Sequence, residues 1–160
     1  MHYKLNCAGV VTGATANTFI TLLGLKLADT AGHRARLRRL TVGGGGGAAQ
    51  DVQVSLRLRR TSNAGDGTAT AVNVNTIGQA DAGSVASRIA AVGKNYSAEP
   101  TAYETATLGL AAMNSRATLA IEWGPDDAPV WGPNQTLGLE GAPGTATAVT
   151  LEVTAEWEEF

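Results

Sequence analysis

The sequence has few of the residues from which active sites are built. Its 160 residues include one cysteine and two histidines, and only 16% are charged. The lone Cys7 cannot close an internal disulfide, which excludes a disulfide-stapled secreted scaffold and indicates folding in a reducing cytoplasm. His2 and His33 do not share a zinc-ligand spacing with Cys7. We therefore expect no catalytic residue, no metal and no cofactor, that is, a protein that is not an enzyme.

Long apolar runs and strong charge are missing as well. No stretch approaches the roughly 20 residues of a membrane helix, and the first residues lack the apolar centre of a signal peptide. The formal net charge is -2 and the pI is about 5.6, whereas a nucleic-acid binder usually carries a strongly basic face. We expect one domain over residues 1–160 that contacts neither membrane nor nucleic acid.

What the sequence does contain is a succession of extended segments separated by turns. Asp51 to Arg60 alternates apolar and polar residues, and so does Thr145 to Phe160, which is the period of a strand with one buried face. About eight such segments predict an all-β fold, an antiparallel β-sandwich of jelly-roll type. Residues 81–91 form the one plausible helix, and the glycines at 43–47 indicate a flexible loop between two strands.

Arginine is concentrated in two neighbouring segments, 34–39 and 57–60, which hold seven of the twelve basic residues. If these segments are adjacent strands, their arginines form one basic patch. Such a patch is either a docking surface for an acidic protein partner or a solvated sheet face. Trp131 follows a proline-containing loop and is either an exposed anchor or part of the core. The candidate docking residues are therefore Arg34, Arg36, Arg38, Arg57, Arg59 and Trp131.

Two alternative uses of the acidic residues remain open. One is a sugar site lined by Trp131 with Asp126 and Asp127, since jelly rolls also serve as lectin domains. The other is a hydrolase with an acid and a base, formed by Glu122 with Asp127 or by Glu140 with Glu152. Any acidic β protein offers such pairs, so the pattern does not favour a hydrolase.

Short motifs in about the middle third of the chain are familiar from a known family. They are the element Tyr-x-x-Glu-Pro-Thr at residues 96–101 and the hairpin sequence Leu…Asn-x-Arg-Ala-Thr at residues 108–118. Gly-Asp-Gly-Thr-Ala-Thr at residues 65–70 and Trp-Gly-Pro at residues 123–125 add to them. With these motifs the chain resembles small structural proteins of tailed bacteriophages. The first sixty residues contribute nothing to the match.

The resemblance implies a capsid decoration or cement protein with a β-sandwich or jelly-roll fold. Such a protein folds in the host cytoplasm and binds the major capsid protein on the surface of the virion. We also expect a homo-oligomer, a trimer rather than a dimer, because a decoration protein gains avidity by engaging several shell subunits at once. The alternative is a phage tail or receptor-binding component that recognises host surface carbohydrate.

Overall fold

The computed structural model describes residues 1–45, 51–62, 66–79 and 85–160. Over these residues the chain forms strands and a three-residue 3-10 helix, Val74–Thr76. The strands are β1 (His2–Val11), β2 (Ile20–Leu27), β3 (Ala35–Gly44), β4 (Gln53–Arg60), β5 (Thr68–Val72), β6 (Gly78–Gln79), β7 (Ile89–Ala98), β8 (Gly109–Asn114), β9 (Thr118–Glu122), β10 (Val130–Trp131), β11 (Thr136–Pro143) and β12 (Thr150–Glu159).

The predicted helix and the predicted glycine loop fall partly outside the described residues. Residues 81–84 of the helix are among those not described, and from Ile89 onward the chain is strand β7, so a helix reaching residue 91 is wrong. Gly43 and Gly44 belong to β3, where Gly43 pairs with both β12 and β9. The glycine run therefore begins inside a sheet and leaves the described residues at position 46.

The strands form two antiparallel sheets that pack against each other. Sheet A has the order β10-β3-β12-β1-β6, with β9 also paired to β3, and sheet B has the order β5-β7-β2-β11-β4-β8. Their facing side chains form the hydrophobic core, so the predicted all-β antiparallel sandwich is confirmed. The additional strands β6 and β10 have two residues each, too few to show an alternating pattern in the sequence.

Sheet A has one buried face and one wet face. In β12 the side chains of Leu151, Val153, Ala155 and Trp157 are buried, and the residues between them are exposed or half-buried. Trp157 stacks on Tyr3 of the neighbouring β1, with ring centroids 5.9 Å apart. A period of two that is complete over ten residues fixes the register, because a slip by one residue would expose every core side chain.

Sheet B is covered on both faces at its centre. Every residue of β11 is buried, and β2 is buried from Thr21 to Leu25. The pairing of β2 with β11 shifts between Leu139 and Glu140, and this bulge leaves both Leu22 and Leu23 buried. It also aims Thr21 away from the core and toward the outer face.

A stretch that we call the cover segment (residues 96–104) lies over this outer face. It runs from the end of β7 to the end of β4, where the backbone N–H of Ser62 donates to the carbonyl of Ala102 at 2.8 Å. The N–H of Glu104 donates to the carbonyl of Arg60 at 2.9 Å. These bonds fix the far end of the segment, so its side chains are held against the middle strands of sheet B.

Candidate functional site

Under the cover segment, one carboxylate lies between two arginines. Glu140 of β11 is 1% exposed and is paired in register with Arg57 of β4. Arg57 donates to it from Nε and Nη2 at 2.7 and 2.9 Å. Arg59 donates to the same two oxygens from Nε and Nη2 at 2.7 and 3.1 Å. Each of the two guanidinium groups thus binds Glu140 through two hydrogen bonds, which is the strongest geometry for an arginine–carboxylate pair.

Two aromatic rings lie against these guanidinium groups. The guanidinium carbon of Arg57 lies 4.0 Å from the ring centroid of Phe19, and that of Arg59 lies 4.5 Å from the centroid of Tyr103. An arginine placed over a ring in this way is attracted by the ring quadrupole and shielded from water. The hydrogen bond to Glu140 also raises the pKa of Arg59 above its ordinary value. Arg57 and Arg59 are therefore fixed parts of the fold.

Thr21 connects the cover segment to sheet B. Its backbone N–H donates to Oε1 of Glu99 at 2.8 Å, and its hydroxyl donates to Oε2 of the same carboxylate. Because the hydroxyl hydrogen of Thr21 is used in this way, the Tyr103 hydroxyl, 2.9 Å away, is the donor to Thr21 Oγ1. Burial raises the pKa of Tyr103 above its ordinary value, so the phenol stays protonated and can donate.

A row of glycines makes room for the tyrosines of the cover segment. Gly93, Gly24 and Gly138 are paired in register across β7, β2 and β11. A Cβ on Gly138 would overlap the hydroxyl of Tyr103 and lie 2.7 Å from its Cζ, and a Cβ on Gly93 would lie 2.8 Å from the hydroxyl of Tyr96. Burial, with the charges of Asp66 and Glu99, raises the pKa of Tyr96 to about 12.

This geometry contradicts the predicted basic patch. The two arginine-rich segments are not adjacent strands, because β3 lies in sheet A between β12 and β9 or β10, whereas β4 lies in sheet B between β11 and β8. Most of their arginines are also neutralised within the chain. Arg36 pairs with Glu158 at 3.0 Å, Arg39 with Glu122 at 3.3 Å and Arg60 with Glu104 at 2.7 Å.

Two of the predicted docking arginines remain available. Within the part of the chain that the structure describes, the side chains of Arg34 and Arg38 have no hydrogen-bond or ion-pair partner. Arg34 is exposed and Arg38 is half-buried. Of the six candidate docking residues, Arg34 is the one that offers both an exposed side chain and an uncompensated charge.

Trp131 is not a surface anchor, because its side chain is 0% exposed. The alternative interpretation, packing in the core, describes it correctly. Its indole Nε1 has no hydrogen-bond partner among the described residues. A sugar site lined by Trp131 with the exposed Asp126 and Asp127 is therefore wrong as predicted, since the ring cannot stack on a sugar from inside the core.

The carboxylate pairs considered for a hydrolase also separate in the fold. Glu140 lies under the cover segment of sheet B, whereas Glu152 is exposed on β12 of sheet A. Glu122 is bound to Arg39. Among the described residues, no three His, Cys, Asp or Glu side chains are grouped closely enough to hold a metal ion. Cys7 is buried, and burial raises the pKa of its thiol.

Exposed apolar and basic groups gather at the end of the sandwich where both chain termini lie. We call this surface the terminal face and define it by Met1, Arg34, Val85 and Phe160. Met1 and Phe160 are each 51% exposed and Val85 is 52% exposed. The N-terminal amine donates to the Glu159 carbonyl at 3.1 Å, and the Arg34 and Phe160 backbones exchange two hydrogen bonds at 2.9 and 3.0 Å.

An open cleft of about 490 Å³ adjoins the terminal face. Its lining residues are Arg34, Arg60, Ser62, Val130, Gly132, Pro133 and Gln135. Arg60 is held there by Glu104 and by the Val130 carbonyl, which accepts from Nη1 at 2.8 Å. The cleft therefore presents one compensated and one uncompensated guanidinium group, which favours an anionic group of a partner over a neutral one.

Sequence reasoning missed the contacts of Thr21 with Glu99 and Tyr103, which hold the cover segment, and it considered Glu140 only as one acid of a hydrolase pair. The motif at residues 96–101 contains Glu99, but the resemblance that it carries assigns no contact to this residue. A local signal was present, because Glu140 follows Leu137 and Leu139 in a strand whose next residues are Gly-Ala-Pro. A lone acid beside such an apolar strand requires a basic partner, and Arg57 and Arg59 were the candidates.

Compared with known proteins, the chain matches no protein-family model and no curated sequence. Over the described residues, no helix is long and apolar enough to cross a membrane.

Proposed function

We propose that this protein is a non-enzymatic structural component of a tailed-bacteriophage virion, which binds the capsid surface and stabilises the head. The motifs at residues 96–101 and 108–118 support the proposal through their resemblance to such proteins. In this fold, both motifs are structural. The first belongs to the cover segment. The second spans β8, the turn after it and the first residue of β9, and in this turn the Arg116 N–H donates to Asn114 Oδ1 at 2.9 Å.

The order of eight strands supports a jelly roll as the finer description of the sandwich. Sheet A contains β1-β12-β3-β9 as neighbours, and sheet B contains β2-β11-β4-β8. Successive strands of this set alternate between the sheets, except that β4 and β8 are neighbours in sheet B. Two Greek keys wound in this way make a jelly roll, an architecture that viral capsid domains use. Strands β5, β6 and β7 are then an insertion between β4 and β8.

The observation that carries the docking role is the composition of the terminal face. Three large apolar side chains that are about half exposed lie there beside the uncompensated Arg34 and the open cleft. An interface of this kind combines an apolar centre with a charge that orients the partner. We propose that the terminal face contacts the major capsid protein, and that Arg34 meets a carboxylate on it.

Mass spectrometry of purified virions whose genome encodes the chain tests the proposed function. Hundreds of copies per particle are the expected result. A handful of copies would instead indicate a tail or receptor-binding component, and absence from the particle would contradict a virion role altogether.

Reconstitution onto heads that lack the protein tests the docking surface. We expect Arg34→Glu to lower occupancy at least 10-fold and higher salt to weaken attachment of the unmodified protein, since exposed charges are screened over ~8 Å at physiological ionic strength. Arg116→Glu is the matched control, because Arg116 is an exposed arginine in the β8–β9 turn at the opposite end of the sandwich. Equal occupancy for the two variants would remove the terminal face from the proposal.

A further inference from the structure

The outer edge of β8 is an unprotected strand edge. On one side β8 pairs with β4 over six residue pairs, and within the described residues no strand pairs with its other side. Its sequence, Gly-Leu-Ala-Ala-Met-Asn, contains no charge and no proline. Proteins usually protect such edges with lysine, proline or a covering loop, because a free edge is a template for another strand.

An apolar groove opens beside this edge, between β8 in sheet B and β9 in sheet A. Its lining includes Leu40, Leu56, Leu58, Ile121 and Trp123. Leu110 also lines it and is 75% exposed. Since β8 and β9 belong to different sheets, the sandwich is open along this side, and a strand added to β8 would cover the groove.

Several charged groups near the edge are paired within the chain. Arg57, the residue paired with Leu110 across β4 and β8, is bound to Glu140. Arg39 and Glu122, whose strands border the groove, form an ion pair at 3.3 Å. Asp51, which accepts from the Asn114 side chain, and the exposed Arg116 of the following turn have opposite charges. Because no single sign of charge dominates the edge, two identical copies of it can approach without net like-charge repulsion.

We propose that β8 pairs with β8 of a second copy of this chain, antiparallel and with Ala112 on the two-fold axis. A pairing about one residue preserves the two faces of the sheet, so Ala112 lies opposite Ala112 and Leu110 lies opposite Asn114 of the second copy. The small alanine side chains permit the close approach. Sheet B becomes continuous through both copies, and the interface is isologous, which gives a dimer and not the trimer expected from the sequence.

The backbone groups of β8 are arranged for this pairing. The Ser115 N–H donates to the Val52 carbonyl at 2.8 Å, and in an antiparallel ladder the residues whose hydrogen bonds point toward the partner strand alternate. Residues 113, 111 and 109 therefore face β4. The N–H and C=O groups of Leu110 and Ala112 and the N–H of Asn114 point outward, whereas the Asn114 carbonyl accepts from the Ala117 N–H at 2.9 Å within the turn. In the proposed register the N–H and C=O groups of Ala112 bond to their counterparts, and the Asn114 N–H bonds to the Leu110 carbonyl of the second copy.

Sedimentation of the full chain in solution tests the proposal independently of any capsid, so its failure would not touch the proposed function. We expect a species of twice the chain mass of 16.3 kDa. Ala112→Pro removes an outward N–H without affecting the ladder to β4, and Leu110→Lys places a charge at the edge. Both should shift the protein to monomer, whereas Val74→Lys, a control at an apolar residue that is 36% exposed elsewhere, should leave the dimer intact.

Cross-linking tests the register. Directly opposed residues of a hydrogen-bonded antiparallel pair have Cα atoms about 5.5 Å apart, which is within the range of about 4.4–6.8 Å that a disulfide spans. With diamide as oxidant, Ala112→Cys should give a covalent dimer, and the exposed Ala120→Cys on β9 should not. A monomeric wild-type chain, a dimer that survives both edge variants, or equal cross-linking at the two cysteines would overturn the proposal.

Discussion

The outer faces of the two sheets differ in their exposure to water, although the inner faces of both sheets contribute to the same core. On sheet A, Lys4 and Glu156 form an ion pair at 3.2 Å with side chains 49% and 33% exposed. On sheet B, the ion pairs of Glu140 lie under the cover segment with the carboxylate 1% exposed. The same kind of cross-strand pair is therefore solvated on one face and shielded from water on the other.

The difference shows how a sandwich can bury a second face whose central side chains are polar. The middle of sheet B's outer face carries Thr21, Glu140, Arg57 and Arg59, and each of their charged or hydroxyl groups has a partner. Buried polar groups cost little if they are fully paired and a great deal if one partner is lost. The covered face is therefore stable as a unit and sensitive to single changes, whereas the outer face of sheet A tolerates them.

Removal of the central carboxylate should have the largest effect. Glu140→Ala leaves Arg57 and Arg59 facing each other under the cover segment, and we expect a loss of about 3–5 kcal/mol in the free energy of unfolding, the range for breaking a buried ion pair. Urea denaturation measures it. On the open face, Glu156→Ala should cost no more than about 1 kcal/mol. Equal losses for the two variants would abolish the distinction between the faces.

This result also revises the expectation for the arginines of β4. The alternation of β4 alone places Arg57 and Arg59 at outward strand positions, where polar exchange is normally tolerated. Because both side chains bind the buried Glu140, we now expect glutamate at either position to destabilise the protein. Circular dichroism and urea denaturation of the two variants check this.

A methyl group added to the glycine row should be the next most damaging change. Gly138→Ala places a Cβ against the Tyr103 hydroxyl, and we expect a cost of about 1–3 kcal/mol, as for other overpacked sites. In a Tyr103→Ala background the cost should fall, which a double-mutant cycle measures. Gly78→Ala in β6 of sheet A is the control, since its nearest neighbour would be 3.6 Å away. A cost that is unchanged without Tyr103 would refute the steric explanation.

Loss of one hydroxyl should have a smaller effect. Thr21→Val removes the donor to Glu99 and the acceptor for Tyr103, and we expect it to cost about 1–2 kcal/mol. Thr154→Val on the outer face of sheet A removes an exposed hydrogen bond to Asn6 of 2.9 Å and should stay within about 0.5 kcal/mol. Thermal unfolding of both variants decides whether the cover segment depends on Thr21.

Alkaline pH should have the smallest of these effects on the stability of the covered face. Burial raises the pKa of Tyr96 to about 12 and raises that of Tyr103 as well, above the value of about 10 in an unfolded chain. Their contribution is complete below pH of about 10 and is lost as the pH rises through the folded-state pKa values. Unfolding midpoints between pH 9 and 12 should fall, and Tyr96→Phe should reduce the slope. An unchanged slope would mean that other groups control the alkaline limit.

The sequence by itself determined the strands and the sandwich. The alternation in β4 and β12 is complete. Successive side chains point in turn to the core and to the opposite face, so the sequence pattern and the burial agree. The lack of long apolar runs indicated the same fold class, and so did the turn residues between the strands. The β2 segment is apolar on both faces, which is typical of a strand in the middle of a sheet, and β2 lies between β7 and β11.

Only the tertiary structure decided which residues meet. The arginine-rich segments are neighbours in sequence but lie in different sheets, because strand order depends on which hydrophobic faces pack and not on chain order. The carboxylate that binds Arg57 and Arg59 belongs to Glu140, about 80 residues further along the chain. The bulge in β2, which aims Thr21 at the cover segment, leaves no periodic pattern in the sequence. Long-range pairing of this kind is set by the packing of the whole molecule, so a local pattern cannot specify it.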